Sequence, residues 1–480
     1  LDLQYSYLDP VTGLEDPTGN IRAIYDTVDA RNSEYGYDEQ DRLVAAGGWW
    51  GQLDWTYDGT GNRLSETRRG PGATTADVST YSYQDLDGTG PNPPSSRLVQ
   101  VTGGAAAHEL AYDASGNAIR YDDLCLVYDA ADRLTQIKRL ADPLPSGCSV
   151  NPCSRASIDT CAPRVVQENK YDYKFRRTER VERLDAGGNP LPAPRCTTFV
   201  HDQFDRLIAE HDCSPGTDPA AADNVLAEYV YLEGYHVLAV RRDGDEWYWY
   251  LNDHLPTPKK LVDASRVVVW DGKMEPFGTT EEAVATVEQP LRFPGQHEDD
   301  AVPLVQNLHR WYQPDLGRYA VADTVPRQIP PAFRAVCAAR HASQLARFLA
   351  RLQSGSDVYG YASASPLRFT DPTGLQAEQG WDFGECGNLS EFNWEGLWDW
   401  LGELWSAPGP LTSLTELLRH DLRLIACVLS DAPTVARDVA GLRTCLGSCP
   451  LVGAYRGACF FACFGVQFTE RAKNCIANVQ

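Results

Sequence analysis

A short word built on tyrosine and aspartate returns again and again in the first 212 residues of this chain. It reads YDEQDRL from Tyr37, YDGTGNRL from Tyr57, YDASGNAI from Tyr112 and YDAADRL from Tyr128, and histidine replaces the tyrosine in HDQFDRL from His201. Each word is hairpin grammar: an aromatic closes one strand, Asp and Gly supply the turn, and strand-forming residues resume. Units only about 15 to 30 residues apart cannot each bury an apolar face alone, so neighbours must stack into one continuous sheet. The fold class expected is mainly β, an extended spiralling antiparallel sheet that runs to about residue 320. An ordinary β domain with chance Tyr-Asp turns is the rival, and five near-copies argue against it.

Two stretches interrupt the series. Residues 140 to 165 are rich in Pro, Ser and Cys and hold Cys148, Cys153 and Cys161 close together. A surface loop stapled by disulfide is the expectation, because no His or acidic ligand stands beside these thiols at metal-site spacing. Residues 213 to 227 read as a second loop. From residue 229 to 278 apolar and polar residues alternate over several short strands with Asp-Gly and Asp-Ala-Ser turns, which continues the sheet. His254 lies beside Asp253 and offers an acid–base pair, but the surrounding words read as strand and turn packing.

With 480 residues, 43% of them hydrophobic, the chain has room for more than one domain. Its net charge of -23 excludes a surface made for phosphate backbones or anionic lipid, so nucleic acid is not expected as a partner of the shell. Fourteen clustered cysteines suit an oxidising, extracellular setting, secreted or at the cell surface. No apolar run approaches the ~20 residues of a membrane span, and no transmembrane segment is expected. The chain opens on Leu1 without an initiator Met or a leader, which suggests a fragment of a longer protein.

Residues 291 to 375 carry a different set of fixed spacings: Arg310, Trp311, Tyr312, Pro314, Gly317, Arg318, Tyr319 and Asp323, then Asp357, Tyr359, Tyr361 and Pro366, then Asp371, Pro372, Gly374 and Leu375. Together with the YD words, and with DHLPTP at Asp253 and EPFG at Glu275, this segment resembles the core of RHS proteins. The words themselves are similar to the YD repeats of RHS proteins and teneurins. The resemblance implies a long β-sheet spiralling into a hollow shell, here residues 1 to 290 as the C-terminal part of a longer shell, followed by the associated core over 291 to 375.

The chain departs from that pattern in one place. Between Asp323 and Val358 it inserts a long segment in which Leu345, Phe348, Leu349 and Leu352 fall on one helical face, so a helix is expected near residues 332 to 353. The insert displaces the Pro and Gly that usually follow the first acidic residue.

Residues 376 to 480 change character. Five tryptophans (Trp381, Trp394, Trp398, Trp400 and Trp405) precede a run that reads as helices, giving a mainly helical, Cys-rich domain. Cys445, Cys449, Cys459 and Cys463 form two pairs, each pair sharing one helix face, which fits a doubly bridged helical hairpin; zinc is the rival reading. The tryptophans are read as core in preference to a membrane anchor. The tail is acidic and holds a single histidine, His420, which argues against a basic nuclease and most hydrolases.

In RHS proteins and the related C subunits of insecticidal toxin complexes the core is an intramolecular aspartyl protease. Carried onto this chain, the resemblance makes Asp323 and Asp371 the carboxylate pair, Arg310 the supporting cation, and Leu375–Gln376 the bond that is cut, without cofactor or metal. Two carboxylates held together cannot both ionise easily, so one can act as acid while the other activates water. The function expected is that of a polymorphic toxin whose shell encapsulates its own C-terminal domain as cargo, with a secretion apparatus or a target-cell surface as further partners. The alternative is a non-enzymatic extracellular YD-repeat protein for adhesion, with the tail as a disulfide-bonded binding module.

Overall fold

The computed structural model describes residues 1 to 323 and 357 to 375, apart from short connections at 10–11, 17, 85–94, 105–106, 149–150, 186, 218–223, 233 and 243–244, together with the backbone of Glu378–Gln379. The expected inserted helix, Gln376 and the tail cysteines and tryptophans lie outside the described residues. All described residues fall in one compact unit.

The strands from Leu3–Ser6 to Thr280–Ala285 form a single 22-stranded sheet. Every strand pairs antiparallel with the next in sequence, as with Gly51–Tyr57 on Arg63–Arg69 and Arg164–Tyr171 on Arg177–Leu184. The main sheet ends earlier than the repeat pattern suggested. Residues 296 to 319 build a separate four-stranded sheet from Gln296–Glu298, Val305–Asn307, Arg310–Gln313 and Arg318–Tyr319. Its strands are too short and too uniformly buried to continue a half-exposed shell: all four residues of Arg310–Gln313 are buried.

The YD words explain how so long a meander keeps its register. Tyr37 pairs with Leu43, Tyr57 with Arg63, Tyr128 with Leu134 and Tyr171 with Arg177, so one loop length repeats. Inside the loop the aspartate replaces a missing ladder. Asp38 Oδ1 accepts the N–H groups of Gln40 and Arg42 at 2.9 Å each, while Arg42 Nε donates to Asp38 Oδ2 at 2.6 Å. Asp129, Asp172 and Asp202 repeat the arrangement with Arg133, Arg176 and Arg206. Burial alone would raise the Asp172 carboxyl, but Arg176 and the turn N–H groups outweigh it and hold it below the usual carboxylate range.

Each turn also grips its neighbours. Arg42, Arg133 and Arg176 donate forward to the carbonyls of Asp58, Asp172 and Asp202, at 2.7, 2.9 and 3.1 Å. The tyrosine hydroxyls reach back: Tyr57 to the Leu43 carbonyl, Tyr128 to Ala118 and Tyr171 to Leu134, at 3.0, 3.0 and 2.8 Å. A word that reads locally as a turn is therefore also the clamp between successive turns.

The sheet coils until its first strands meet its last. Arg31 makes a two-pronged contact with Asp271 at 2.7 and 2.6 Å, Lys260 lies 2.5 Å from Asp29, and Arg68 grips Glu275 at 2.7 and 2.8 Å. The small sheet fills the coil. Ala301, Val302, Leu304, Trp311, Leu316 and Ala320 pack with Leu98, Val101, Leu110, Leu124 and Leu134 of the shell in one apolar cluster. Phe277 and Leu367 join a second cluster with Leu43, Leu53 and Trp55.

In the loop of residues 140 to 165, Cys148 faces Cys161 with Cα atoms 5.7 Å apart. Cys153 faces Cys125 of the strand Leu124–Tyr128 at 5.1 Å, and Cys196 faces Cys213 at 4.8 Å. All three pairs stand at disulfide distance; one lies within the Cys-rich stretch, one ties it to the sheet, and the third lies wholly outside it.

Candidate functional site

The strand Arg310–Gln313 begins with an arginine that is almost entirely enclosed, its side chain 4% exposed. Its guanidinium lies over the Tyr319 ring, 3.7 Å from the centroid, which fixes the plane of the fork. Arg310 Nη2 stands 2.9 Å from Asp371 Oδ2 and 3.6 Å from Asp323 Oδ2. Both carboxylates are nearly buried, at 2% and 7% exposure. The three residues singled out from the sequence thus meet at one nitrogen.

Asp323 reaches this position although a long insert follows it. Its N–H donates to the Val358 carbonyl at 2.9 Å, and Arg310 Nη1 donates to the same carbonyl at 3.3 Å. The chain on either side of the insert is therefore tied together beside the arginine, and the missing Pro and Gly do not draw Asp323 away.

The turn Asp371-Pro-Thr-Gly-Leu375 is a YD turn in altered form. Gly374 N–H donates to the Asp371 carbonyl at 3.2 Å, and Leu375 N–H donates to Asp371 Oδ1 at 3.0 Å, as Asp41 and Arg42 do to Asp38. In the turns at Asp38, Asp129, Asp172 and Asp202 Oδ2 belongs to an arginine four residues on, and at Asp58 and Asp113 to an asparagine. Here that position is Leu375, so Oδ2 is served from the small sheet by Arg310 and by the Tyr319 hydroxyl at 2.9 Å. Gly374 has φ +71°, and a Cβ there would come 2.4 Å from the Asn307 carbonyl oxygen, so only glycine fits.

Further contacts hold the turn from Asp371 to Leu375. Asn307 Nδ2 donates to the Asp371 carbonyl and to the Tyr319 hydroxyl, at 2.8 Å each. His309 Nδ1 and the Thr373 carbonyl are 3.0 Å apart, and Arg310 Nε donates to the Gly374 carbonyl. Burial holds the His309 imidazole below its ordinary value and pushes the Tyr319 phenol well above its own. Neutral His309 can then donate from Nδ1, and Tyr319 stays protonated as a donor. Tyr319 was visible from the sequence only as part of a spacing, and Asn307 carried no signal there.

Asp253 and His254 do not form a catalytic pair. Asp253 Oδ1 accepts the N–H groups of Leu255 and Thr257 as a turn aspartate, while His254 Nε2 donates to the Leu367 carbonyl at 2.8 Å and packs edge-on against Tyr5. Among the described residues no cluster of three or more His, Cys, Asp or Glu is placed to hold a metal ion, and no helix is long and apolar enough to cross a membrane.

No protein-family model matches the chain. Among curated proteins it is 25% identical over 365 residues to Double-stranded DNA deaminase toxin A of Burkholderia cenocepacia, covering 68% of this chain and 22% of that one. It is 25% identical over 380 residues to Toxin protein Tse5 of Pseudomonas aeruginosa, covering 71% and 25%. The chain spans about a quarter of the length of the curated relatives it matches. Among solved structures, a TcdB2-TccC3 crystal structure overlays with a TM-score of 0.45 at 15% identity, over 78% of this chain and 18% of that one. The interlocked YD turns, the spiralling sheet and the core around Arg310 resemble those of RHS/YD-repeat proteins, and the two curated relatives described above are both named as toxins.

Proposed function

We propose that this chain is the closing part of an RHS-type toxin shell that cuts itself once between Leu375 and Gln376 and holds residues 376 to 480 as its payload. The observation that carries the reading is the single Arg310 nitrogen at 2.9 Å from Asp371 and 3.6 Å from Asp323, with the Leu375 N–H on the same Asp371 carboxylate. Because the bond belongs to the chain that holds the site, proximity supplies the effective concentration that a bimolecular protease must gain by binding, about 10⁵ to 10⁸ M in well-oriented cases. The chemistry asks for two carboxylates and a water, and for no cofactor. The two curated relatives described above are named as toxins, which favours a payload over an adhesion module as the role of the tail. In this reading the protein is exported, a secretion apparatus or the target-cell surface is its further partner, and the three cysteine pairs are disulfides.

Intact-mass measurement of the purified chain tests the cut. Two species that meet after Leu375 and separate only on denaturation are expected. A chain of full mass after days at mildly acidic and at neutral pH overturns it. Peptide mapping without reduction should recover Cys125–Cys153, Cys148–Cys161 and Cys196–Cys213. Free thiols at those six positions would mean that packing alone holds the cysteines together.

A further inference from the structure

Where the small sheet turns from Arg310–Gln313 into Arg318–Tyr319, Asp315 reaches the shell. Tyr121, at the end of the strand Ala118–Tyr121, donates its hydroxyl to Asp315 Oδ2. His108 opens the adjacent strand His108–Tyr112 and stacks on the Tyr121 ring, with centroids 5.5 Å apart. Its Nε2 stands 3.4 Å from Asp315 Oδ2, and its Nδ1 stands 2.9 Å from Asp122 Oδ2. The side chain is 11% exposed, with a carboxylate at each ring nitrogen. A neutral imidazole has one N–H and can donate to only one of them, whereas an imidazolium donates to both. Glu66 of the strand Arg63–Arg69 adds negative charge, and Arg120 is paired with Glu109 at 2.6 Å. Burial alone would lower the His108 imidazole, but Asp122, Asp315 and Glu66 outweigh it and hold it above its ordinary value. Burial raises the Asp315 carboxyl as well, against the pull of Tyr121 and His108.

We infer that His108, set between Asp122 of the shell and Asp315 of the small sheet, is a pH-sensitive clasp that fastens the hairpin carrying Arg310 in mild acid and slackens as pH rises. The clasp is independent of the cut and holds whether or not the chain cleaves itself. A histidine raised in the folded state contributes stability that is fully present below its unfolded value of about 6.5 and is lost as pH rises through the folded one. Asp315, also raised, acts in the same direction. On losing its proton His108 keeps a single N–H, and the shorter contact, to Asp122, is the one retained. The contact given up is the one that joins the two sheets. Its loss falls on the hairpin that brings Arg310 and Tyr319 to Asp371. His297 is a second raised histidine between two acids, Glu210 and Asp299, but Arg177 Nη2 faces its Nδ1 at 3.3 Å, and it sits on the first strand of the small sheet.

Amide hydrogen exchange of the full chain across a pH series, corrected for the intrinsic pH dependence of exchange, tests the clasp at residues 310 to 319. Between about pH 5.5 and about pH 8.5 the opening of these amides should rise roughly 2- to 5-fold, the worth of a partly exposed ion pair. Amides of the shell hairpin at residues 33 to 48 should stay level. His108→Gln keeps one donor and cannot titrate, so its hairpin should open at the high-pH level throughout. Asp315→Asn should behave alike; it leaves an oxygen for the Tyr121 hydroxyl and provides the test should His108→Gln not fold. A flat wild-type profile overturns the inference. A rise that persists equally in both variants also overturns it, and assigns the pH response to His297.

Discussion

Asp371→Asn should remain a single chain of full mass, with its cutting slowed by about 10² to 10⁴-fold, the range that a positioned acid or base contributes. The substitution preserves size and leaves an amide oxygen to receive the Leu375 N–H, which in the native turn donates to Asp371 Oδ1 at 3.0 Å. Arg310 also keeps other acceptors, namely Asp323 and the carbonyls of Gly374 and Val358. The fold should therefore survive. Asp323→Asn should give the same uncut product, since the proposed cut needs both carboxylates. Intact mass after purification reads both, and a cut Asp371→Asn chain would show that the aspartate only closes the turn. The molecule supplies its own comparison, because Asp16-Pro-Thr-Gly-Asn20 repeats the same four letters. Asp16 accepts the Thr18 N–H at 2.8 Å and is served by the nearby Arg22 at 2.7 Å. Arg22 plays the part of a shell arginine, and no break is expected there.

The repeats were legible in the sequence because their chemistry is local. An aspartate that collects the N–H groups of its own turn needs only its neighbours, so the words at Tyr37, Tyr57, Tyr112, Tyr128 and His201 announce themselves. The same signal extends to Tyr171-Asp172, where Lys174 and Arg176 N–H groups close the turn in the same way. The forward grip of each arginine on the next turn was not legible, since it depends on how far apart two hairpins stand after coiling. The same limit applies to the cysteines. Cys148 and Cys161 share one loop and could be suspected together, whereas Cys125 lies within a strand of the sheet and meets Cys153 only through tertiary folding.

At the candidate site the sequence supplied the charged residues and the resemblance supplied their roles. What neither supplied was the separate small sheet. Its residues carry the same strand-forming character as the shell, and only their burial on both faces distinguishes them. The partners of the site come from that sheet: Asn307 from Val305–Asn307, Arg310 from Arg310–Gln313 and Tyr319 from Arg318–Tyr319. Polar residues such as Asn307 and Asp299 show no periodic pattern, because partners that satisfy them, the Asp371 carbonyl and Arg177, lie more than sixty residues away in sequence.

Asp299→Asn should be the most destabilising single change of a charged residue outside the site, lowering the unfolding free energy by about 3 to 5 kcal/mol. Asp299 is fully enclosed at the end of the strand Gln296–Glu298. It accepts from Arg177 Nη2 at 2.9 Å, Arg180 Nη1 at 2.6 Å and Gln167 Nε2 at 2.8 Å. Those three residues belong to two adjacent shell strands, Arg164–Tyr171 and Arg177–Leu184, so one carboxylate ties the small sheet to the shell. Burial alone would raise Asp299, but Arg177 and Arg180 outweigh it and hold the group well below the usual range. A carboxyl lowered in the folded state contributes stability that is present above its unfolded value of about 3.9 and is lost as pH falls toward the folded one. The wild type should therefore lose stability below about pH 4, and the variant should lack that part of the acid limb. Its neutral amide leaves the buried Arg177 without the charge that faces it and Arg180 with only Glu182, 3.6 Å away, while His297, 3.3 Å from Asp299, loses one of its acidic neighbours and keeps Glu210. Denaturant titration at neutral pH measures the difference, and a change under about 1 kcal/mol would mean that the hydrogen bonds hold the sheet without the charge. Because the same small sheet carries Arg310, a loosened tie should also slow cutting, with the loss restored under conditions that stabilise the fold, whereas the loss in Asp371→Asn persists under any condition in which the chain is folded.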